Sequence, residues 1–298
     1  MPRQQTKEPG MSSQQTQRPR AIFLDIDGTY ADHGLAPEAH VEAVRTARRL
    51  GHLVFVCTGR PLSMVPGHIL DAGFDGTITG AGARVELNGE VLKDTRFEPE
   101  VAARIVETLD ANNAAYILEA PEALHGRTGV DQRLRQVLGP IFAGRPQHDG
   151  VLSTDVDPIE DILGPMQYSN DLRSASFAKI SCFDSPVPLT DLLPTFGPAV
   201  GLIPSSLSAL GDRAGEIFMA GTHKAVGIQV LEDRLGLKRE DIVAIGDSAN
   251  DIEMLEYAGT GIAVEGGHPG VLAVADRTTP APAGNGVALA FAELGLLG

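Results

Sequence analysis

The chain has 298 residues, and 43% of them are apolar, which is enough for one large domain or two of ordinary size. Its 39 acidic residues outnumber its 24 Lys and Arg residues, and the formal charge of −15 would repel nucleic-acid phosphates. Trp is absent and no apolar run reaches transmembrane length, so we expect neither nucleic acid nor a membrane as a partner.

The first residues and the cysteines indicate the type of environment. Residues 1–19 are rich in Gln, Pro and Arg, so we predict a disordered lead-in and no secretory signal, with Met11 as an alternative start to Met1. The two cysteines, Cys57 and Cys182, lie in apolar runs, which favours buried free thiols over a disulfide. We therefore expect a protein of the reducing cytoplasm.

A short apolar run over residues 21–24 predicts the first buried strand. Asp25, Asp27 and Gly28 follow it directly. Because side chains alternate along a strand, the two acids should point to the same side. A turn with two solvated acids would have the same composition, but the apolar strand before it favours a functional pair.

Two acids at one strand end can divide the work of a two-step reaction. An ionised Asp25 can attack an electrophile and form a covalent intermediate. A protonated Asp27 can give a proton to the leaving group and later take one from water. Carboxylate oxygens also suit Mg²⁺, and the carboxyl ends of strands are where open α/β sheets hold their ligands.

A second strand end carries groups that could bind phosphate. Residues 37–50 predict a helix, with Pro at its first position, and residues 53–57 predict a second strand buried on both faces. Thr58 and Gly59 follow that strand. A hydroxyl and a flexible backbone N–H could hold a phosphate oxygen there, although Thr-Gly is also an ordinary turn pair.

The strand–helix alternation stops after a short third strand at residues 76–79. An Asn-Gly pair at residues 88–89 predicts a hairpin, and residues 99–112 predict a helix. Residues 175–183 alternate between apolar and polar, which is typical of a sheet with one wet face. We therefore predict an inserted antiparallel α+β domain over residues 83–214.

The alternation returns afterwards, so residues 20–82 and 215–298 are predicted to form one α/β core with a mostly parallel sheet. Thr222 is expected to cap a helix that contains Lys224, and residues 242–245 predict another buried strand. A lone lysine is usually a solvated surface group. Near several carboxylates and a phosphate it would be the balancing cation.

Residues 246–251 gather polar groups at this further strand end. Asp247 and Asp251 could complete an oxygen-ligand site for Mg²⁺ with Asp25, although Asp251 could mainly orient its neighbours. Asn250 could hold a carboxylate or a phosphate in register. The alternative is helix capping, because Asp, Ser and Asn all begin helices well.

Four segments in this order resemble the four sequence motifs of the haloacid dehalogenase-like hydrolases. They are residues 25–29, residues 58–60, Lys224 and residues 246–251. The large insertion after the second motif is similar to that of the Cof-type phosphatases in particular. The resemblance implies a Rossmann-like, mostly parallel sheet core with an inserted α+β cap domain.

The resemblance also implies a role for each motif residue. Asp25 would be the nucleophile and Asp27 the general acid and base. Mg²⁺ would be held by Asp25, by the backbone carbonyl of Asp27 and by Asp247. Thr58 and Lys224 would hold the transferring phosphate, and the inserted domain would close over the site and choose the substrate.

We therefore expect a phosphatase for a small phosphorylated metabolite, with sugar phosphates as one class. Two alternatives use the same scaffold: a phosphomutase or phosphotransferase, and a non-enzymatic metabolite sensor. Such sensors typically lose a nucleophile or a metal acid, and this chain keeps both. Tyr30 departs from the Leu usual in the family. Arg127, Arg173 and Lys179 are candidate substrate contacts, although surface solvation explains each equally well.

Overall fold

A computed structural model of the protein describes residues 18–143, 158–205 and 207–298, so most of the predicted lead-in lies outside the described residues. The strands are β1 (Ala21–Leu24), β2 (Leu53–Cys57), β3 (Gly76–Thr79), β4 (Arg84–Leu87), β5 (Glu90–Asp94), β6 (Ala115–Glu119), β7 (Leu124–Arg127), β8 (Met166–Ser169), β9 (Lys179–Asp184), β10 (Val200–Pro204), β11 (Gly215–Met219), β12 (Ile242–Gly246), β13 (Thr260–Val264) and β14 (Arg277–Thr279). The helices are α1 (Glu38–Arg49), α2 (Pro99–Ala111), α3 (Val130–Ala143), α4 (Pro158–Leu163), α5 (Leu189–Phe196), α6 (Lys224–Leu235), α7 (Ile252–Tyr257), α8 (Pro269–Val274) and α9 (Gly286–Glu293).

The first sheet has eight strands in the order β14-β13-β12-β1-β2-β3-β4-β5. The pairs from β14 to β3 are parallel, whereas β4 and β5 are antiparallel to their neighbours. Strand β1 lies between β12 and β2 and pairs with both. This arrangement confirms the predicted mostly parallel α/β sheet.

Both faces of the first sheet are covered, as the continuous apolar runs predict. Ile22 and Leu24 of β1 pack in one buried cluster with residues of α1 and α9. Ala21 and Phe23, which point the other way, pack in a second cluster with residues of α6 and α7. Each fully buried side chain of the size of Leu or Phe contributes about 1.5–3 kcal/mol relative to an exposed one. The first sheet is therefore a rigid platform for the groups at its strand ends.

The second sheet has six strands in the order β10-β11-β9-β6-β7-β8, and all pairs are antiparallel except β7 with β8. One face packs against α2 and α5, with Tyr116, Leu118 and Ile180 among its buried residues. On the other face, Ile117 packs with residues of α3 and α4. Strand β9 begins at Lys179 and not at residue 175. This second layer is the α+β part expected from the sequence.

The hydrogen bonding of the strands divides the chain differently from the predicted ranges. The hairpin of β4 and β5 falls within 83–214, yet β4 pairs with β3 in the first sheet. Strand β11 falls within 215–298, yet it pairs with β9 and β10 in the second sheet. The alternation of side chains indicates a strand but not the sheet that it joins. We therefore propose that the inserted domain extends from about residue 95 to about residue 219, following the sheet pairing.

The structure also tests several local predictions, which concern a hairpin, a helix cap, the cysteines and membrane-spanning helices. The Asn-Gly hairpin is present, with Asn88 at φ 49° and Gly89 at φ 82°. Thr222 does not cap α6, because the residue before the helix is His223 and no side-chain cap bond is made there. Both cysteines are buried free thiols, as expected. Of the helices in the described ranges, none combines the length and the hydrophobicity that crossing a bilayer requires.

Candidate active site

Three of the expected site residues follow neighbouring parallel strands of the first sheet. Asp25 follows β1, Thr58 follows β2, and Asp247 follows β12. Because β1 pairs in parallel with both other strands, the three strand ends lie side by side. The N–H of Asp25 donates to the carbonyl of Ile245 at 3.0 Å, which continues the ladder by one residue. The backbone therefore fixes Asp25 before any side-chain contact is made.

Lys224 is buried beside two acids that the sheet and its loops bring together. Its Nζ donates to Oδ1 of Asp25 at 2.5 Å and also to Oδ1 of Asp251. Burial alone would lower the pKa of Lys224, but the two carboxylates raise it above its usual value. The lysine therefore stays charged inside the protein and balances the acids around it.

The acids at this site repel one another and are partly shielded from water. Burial raises the pKa of Asp25 well above its ordinary value, Lys224 opposes the shift, and Asp251 and Asp247 add to it. Burial also raises the pKa of Asp247. Three carboxylates around one ammonium leave a net negative charge in a region where water screens it poorly.

This donor set fits a Mg²⁺ ion. Asp25, Asp247 and Asp251 each offer an oxygen, and these atoms lie within 4.8 Å of one another. A divalent cation would offset the repulsion that raises the pKa of Asp25. A Cβ at Gly28 would lie 2.6 Å from Oδ2 of Asp247, and this residue has a φ of +82°, so glycine keeps the space open. The carboxylate of Asp27 does not belong to this group.

Asp251 and Asp247 differ in how far protein donors use their oxygens. Oδ2 of Asp251 accepts from the N–H groups of Asp247 at 3.0 Å and Ser248 at 2.8 Å, and its Oδ1 accepts from Lys224. Ser248 and Asp251 also form a capping box, which was the alternative explanation for this segment. Among the described residues, the carboxylate of Asp247 accepts from two hydroxyls, those of Thr29 at 2.8 Å and Ser248 at 3.1 Å. Asp251 therefore orients the loop and the lysine, and Asp247 is better placed to bind an ion.

Asp27 lies in a different environment from Asp25. Its side chain is 49% exposed, against 7% for Asp25. Arg60 binds both of its oxygens, with Nε 2.6 Å from Oδ2 and Nη2 2.7 Å from Oδ1. Sequence reasoning assigned no role to Arg60, although an arginine directly after Thr-Gly at a strand end was visible. A bidentate contact with a guanidinium group fixes the orientation of a carboxylate.

The remaining phosphate-site candidates lie against one another. Thr58 is buried, and its Oγ1 accepts from the N–H of Arg60 at 3.1 Å. A Cβ at Gly59 would lie 2.9 Å from Nδ2 of Asn250, so the amide of Asn250 packs on the glycine backbone. Oδ1 of Asn250 is buried and has no hydrogen-bond partner among the described residues. Thr58, Gly59 and Asn250 thus form one contiguous polar surface.

Of the three cations of the inserted domain singled out in the sequence, one reaches this surface. Nζ of Lys179 donates to the carbonyl of Gly59 at 3.0 Å. Arg127 instead lies 3.3 Å from Asp110, and Arg173 pairs with Asp171 at 2.8 Å. Both arginines are about half exposed, in agreement with the surface-solvation explanation.

Comparison with known proteins gives one family over most of the chain. The sequence model of a family described as haloacid dehalogenase-like hydrolase matches residues 22–291. "Putative phosphatase YkrA" of Bacillus subtilis (strain 168) is 25% identical over 279 residues, which are 93% of this chain and 98% of that protein. The 5-amino-6-(5-phospho-D-ribitylamino)uracil phosphatase YitU of the same organism is 48% identical over 73 residues, which are 24% of this chain and 27% of that protein.

Solved structures with the same fold can be superposed on nearly the whole chain. The HAD subclass IIB sugar phosphatase BT4131 has a TM-score of 0.73 at 21% identity, covering 93% of this chain and 99% of that one. A haloacid dehalogenase-like hydrolase from B. subtilis also has a TM-score of 0.73 at 21% identity, covering 92% of this chain and 99% of that one. At these identities the likeness establishes the arrangement of the two sheets.

Proposed function

This chain belongs to the haloacid dehalogenase-like hydrolases, and we propose that it is a Mg²⁺-dependent phosphatase that works through an aspartyl-phosphate. The observation behind the proposal is the buried contact of Lys224 with Asp25, beside the oxygens of Asp247. Phosphoryl transfer depends mainly on positioned charge around the equatorial oxygens of the phosphate. A lysine and a set of acids that share a cation meet that need.

In the first step, an oxygen of Asp25 attacks the phosphorus and the bond to the leaving oxygen breaks. Lys224 fixes the carboxylate through Oδ1 and compensates charge next to the incoming phosphate. Asp25, Asp247 and the backbone carbonyl of Asp27 would hold Mg²⁺, which supplies the positive charge that lets an anionic carboxylate approach an anionic phosphate. Asp251 also binds Nζ of Lys224 and so holds the lysine in position.

Asp27 gives its proton to the leaving oxygen in that step. In the second step it takes a proton from the water that attacks phosphorus, and inorganic phosphate leaves as the carboxylate of Asp25 is restored. Arg60 binds both oxygens of Asp27, so proton transfer requires Arg60 to release at least one of them when substrate is bound. The pair would hold Asp27 in place between turnovers.

Thr58 and Asn250 are the proposed contacts for the transferring phosphate. Both lie next to Gly59, at the end of the strand beside that of Asp25. Nδ2 of Asn250, which packs against Gly59, can donate to a phosphate oxygen, and the unpartnered Oδ1 can accept from a bound water. The N–H of Gly59 and the hydroxyl of Thr58 are donors of the kind that phosphate oxygens accept.

The proposed substrate is a small phosphorylated metabolite, with sugar phosphates as the leading class. The fold likeness to the sugar phosphatase BT4131 supports this class, and so does the high similarity of one segment to the phosphatase YitU. The second sheet lies against the 58–60 segment through Lys179, so groups of the inserted domain border the site. A panel of phosphorylated sugars and polyols is the first set to assay.

The proposal is tested by replacing the nucleophile. Asp25→Asn keeps the shape of the side chain but removes the attacking oxygen, and phosphate release should fall by roughly 1,000-fold or more. Asp32→Asn is the matched control, because Asp32 is an exposed acid in the following loop. Phosphate release retained by Asp25→Asn would refute the mechanism. Transfer to a sugar acceptor without free phosphate would favour the phosphotransferase alternative instead.

Metal removal tests the cofactor separately. Chelation should abolish turnover of the wild-type protein, and added Mg²⁺ should restore it. Asp247→Asn should raise the Mg²⁺ concentration needed for half-maximal activity, because one carboxylate ligand is lost. Full activity in excess chelator would rule out the metal-dependent mechanism.

A further inference from the structure

A cluster of charged residues, the Glu–Lys–Glu cluster, lies on one face of the second sheet. It consists of Glu119 on β6, Lys179 on β9 and Glu216 on β11. Glu119 is directly opposite Lys179, and Glu216 is opposite Ser181, two residues further along β9. Because alternate residues of a strand share a face, all of these side chains point to the same side. These side chains therefore form one contiguous polar cluster on that face of the sheet.

Glu119 and Lys179 are buried, Glu216 is 25% exposed, and Lys179 contacts both glutamates. Nζ of Lys179 lies 2.9 Å from Oε2 of Glu216 and 3.2 Å from Oε2 of Glu119. Ser181 donates to Oε1 of Glu119 at 2.5 Å. Burial alone would lower the pKa of Lys179, but the two glutamates raise it above its usual value. The lysine is therefore charged although only 6% of its surface is exposed.

Lys179 makes one more contact, and this one leaves its own sheet. Nζ donates to the backbone carbonyl of Gly59, which follows β2 of the first sheet, at 3.0 Å. A second bond nearby also joins the two parts of the chain, because Oγ of Ser63 donates to the carbonyl of Ala120 at 2.8 Å. An ammonium has three N–H groups, so it can serve the glutamates and Gly59 together.

Gly59 is the middle residue of the 58–60 loop, whose two other residues reach the candidate active site. Thr58 is a proposed phosphate contact, and Arg60 binds Asp27. On the other side, the N–H of Gly80 donates to the carbonyl of Arg60 at 2.8 Å, and the N–H of Ala81 donates to the carbonyl of Thr58 at 3.0 Å. The turn that follows β3 of the first sheet thus binds the carbonyls at both ends of the loop, and Lys179 of the second sheet binds the one between them.

We propose that Lys179 is a positioning residue that fixes the 58–60 loop from the second sheet, so that the pairing of Arg60 with Asp27 depends on docking of the two sheets. When the sheets separate, Gly59 loses its ammonium donor while Lys179 keeps both glutamates. The catalytic part of this inference rests on the proposed function. The structural part, which concerns order in the loop, does not.

The competing explanation is that Lys179 only balances Glu119 and Glu216. The two explanations are separated in a background that lacks both glutamates. The double variant Glu119→Gln, Glu216→Gln keeps Lys179 and its bond to Gly59 but removes the negative charges. Adding Lys179→Met to this background removes the donor without leaving a buried carboxylate unpaired. Because the double variant leaves the buried Lys179 without its anions, removing the lysine relieves that cost, so a less ordered loop in the triple variant reports the lost Gly59 contact.

Hydrogen exchange of the free protein is the first measurement. Loss of the Gly59 contact should speed exchange of the Gly80 and Ala81 amides, whose acceptors are the loop carbonyls, by roughly 10-fold. Lys93→Met is the matched control, because Nζ of Lys93 donates to the carbonyl of Gly82 at the same 3.0 Å within the first sheet region. Lys179→Ala in the same double background repeats the measurement without a side chain that could press on Gly59.

Kinetics are the second measurement. If Lys179 acts through Arg60 and Asp27, the triple variant should lose roughly 10- to 100-fold in kcat/KM for an alkyl phosphate, whose leaving oxygen needs a proton. The loss should be smaller for 4-nitrophenyl phosphate, whose leaving group is stable as an anion. A purely structural role would lower both values equally.

The outcomes are distinct. Faster exchange at Gly80 and Ala81 in the triple variant, together with the unequal kinetic loss, supports the proposal. Exchange and kcat/KM equal to those of the double variant overturn it, and so does an equal loss for both substrates. If the wild-type protein hydrolyses no phosphate ester, the proposed function fails, while the exchange measurement still decides whether Lys179 orders the loop.

Discussion

Lys224 and Lys179 are the two buried lysines of the described chain, and each lies between two carboxylates. In both cases burial alone would lower the pKa of the lysine and the acids more than reverse this. The local physics is therefore the same for both lysines. A buried lysine with two acids is by itself no sign of catalysis.

The difference lies in what surrounds each group. The acids of Lys224 lie at strand ends and in the loop after β12, where Asp247 adds a third carboxylate and space for an ion. The acids of Lys179 are on adjacent strands, and the third contact is a neutral carbonyl. We infer that Lys224 serves chemistry and that Lys179 serves position. Variants of the two lysines test this contrast.

The largest expected effect separates the two lysines by activity. Lys224→Met should lower phosphate release by roughly 100- to 1,000-fold, because it removes a preorganised charge next to the transferring phosphate. Substitution of Lys179 should lower it less, since that residue acts through the 58–60 loop. Steady-state rates for both variants and for Lys93→Met as the control provide the comparison. Equal losses at the two lysines would abolish the distinction between chemistry and position.

The next effect concerns stability at Lys179. Removing the lysine alone leaves the buried Glu119 and the partly exposed Glu216 without a cation, and the loss at Glu119 should cost about 3–5 kcal/mol in the free energy of unfolding. Changing both glutamates to glutamine at the same time should recover most of this loss. Urea unfolding of the single and triple variants measures the recovery. An undiminished loss in the triple variant would mean that the charges of the cluster do not determine its stability.

The fold could be predicted from the sequence in the region where strands and helices alternate. Apolar runs such as residues 21–24 and 53–57 indicate strands buried on both faces, and the sheet has them side by side. The sheet that β4 and β11 each join could not be predicted, because a strand with alternating side chains has the same sequence pattern in either sheet. Strand β4 pairs with β3, its neighbour in sequence, in the first sheet, whereas β11 pairs with β9 and β10 in the second.

The candidate site was predictable where polar residues follow strands. Asp25, Thr58 and Asp247 come together because parallel strands end at one edge of a sheet. The bond between Lys179 and Gly59 spans 120 residues and joins two sheets, so no local pattern indicates it. Tyr30, noted as an unusual residue, is buried, and its carbonyl contacts His40.

His40 extends the comparison, because it is a buried nitrogen base whose ring nitrogens contact backbone groups, and not an acid, among the described residues. Its Nδ1 lies 2.8 Å from the carbonyl of Tyr30, and its Nε2 accepts from the N–H of Val287 at 3.2 Å. One donor and one acceptor describe a neutral ring, and burial lowers the pKa of His40 below its usual value. Burial without an opposing carboxylate therefore lowers the pKa of His40, whereas the carboxylates raise the pKa of both lysines.

The smallest predicted effect follows from this neutral histidine. As pH falls below about 6.5, the unfolded chain binds a proton at His40 before the folded protein does. Stability should therefore fall with pH, by at most about 1.4 kcal/mol per pH unit for this one proton, until the folded protein is protonated too. Urea unfolding at pH 7.5 and 5.5 should show a smaller pH difference for His40→Gln than for the wild type. The exposed His68, changed to Gln, is the control, and an equal reduction in both variants would contradict the assignment of a neutral buried His40.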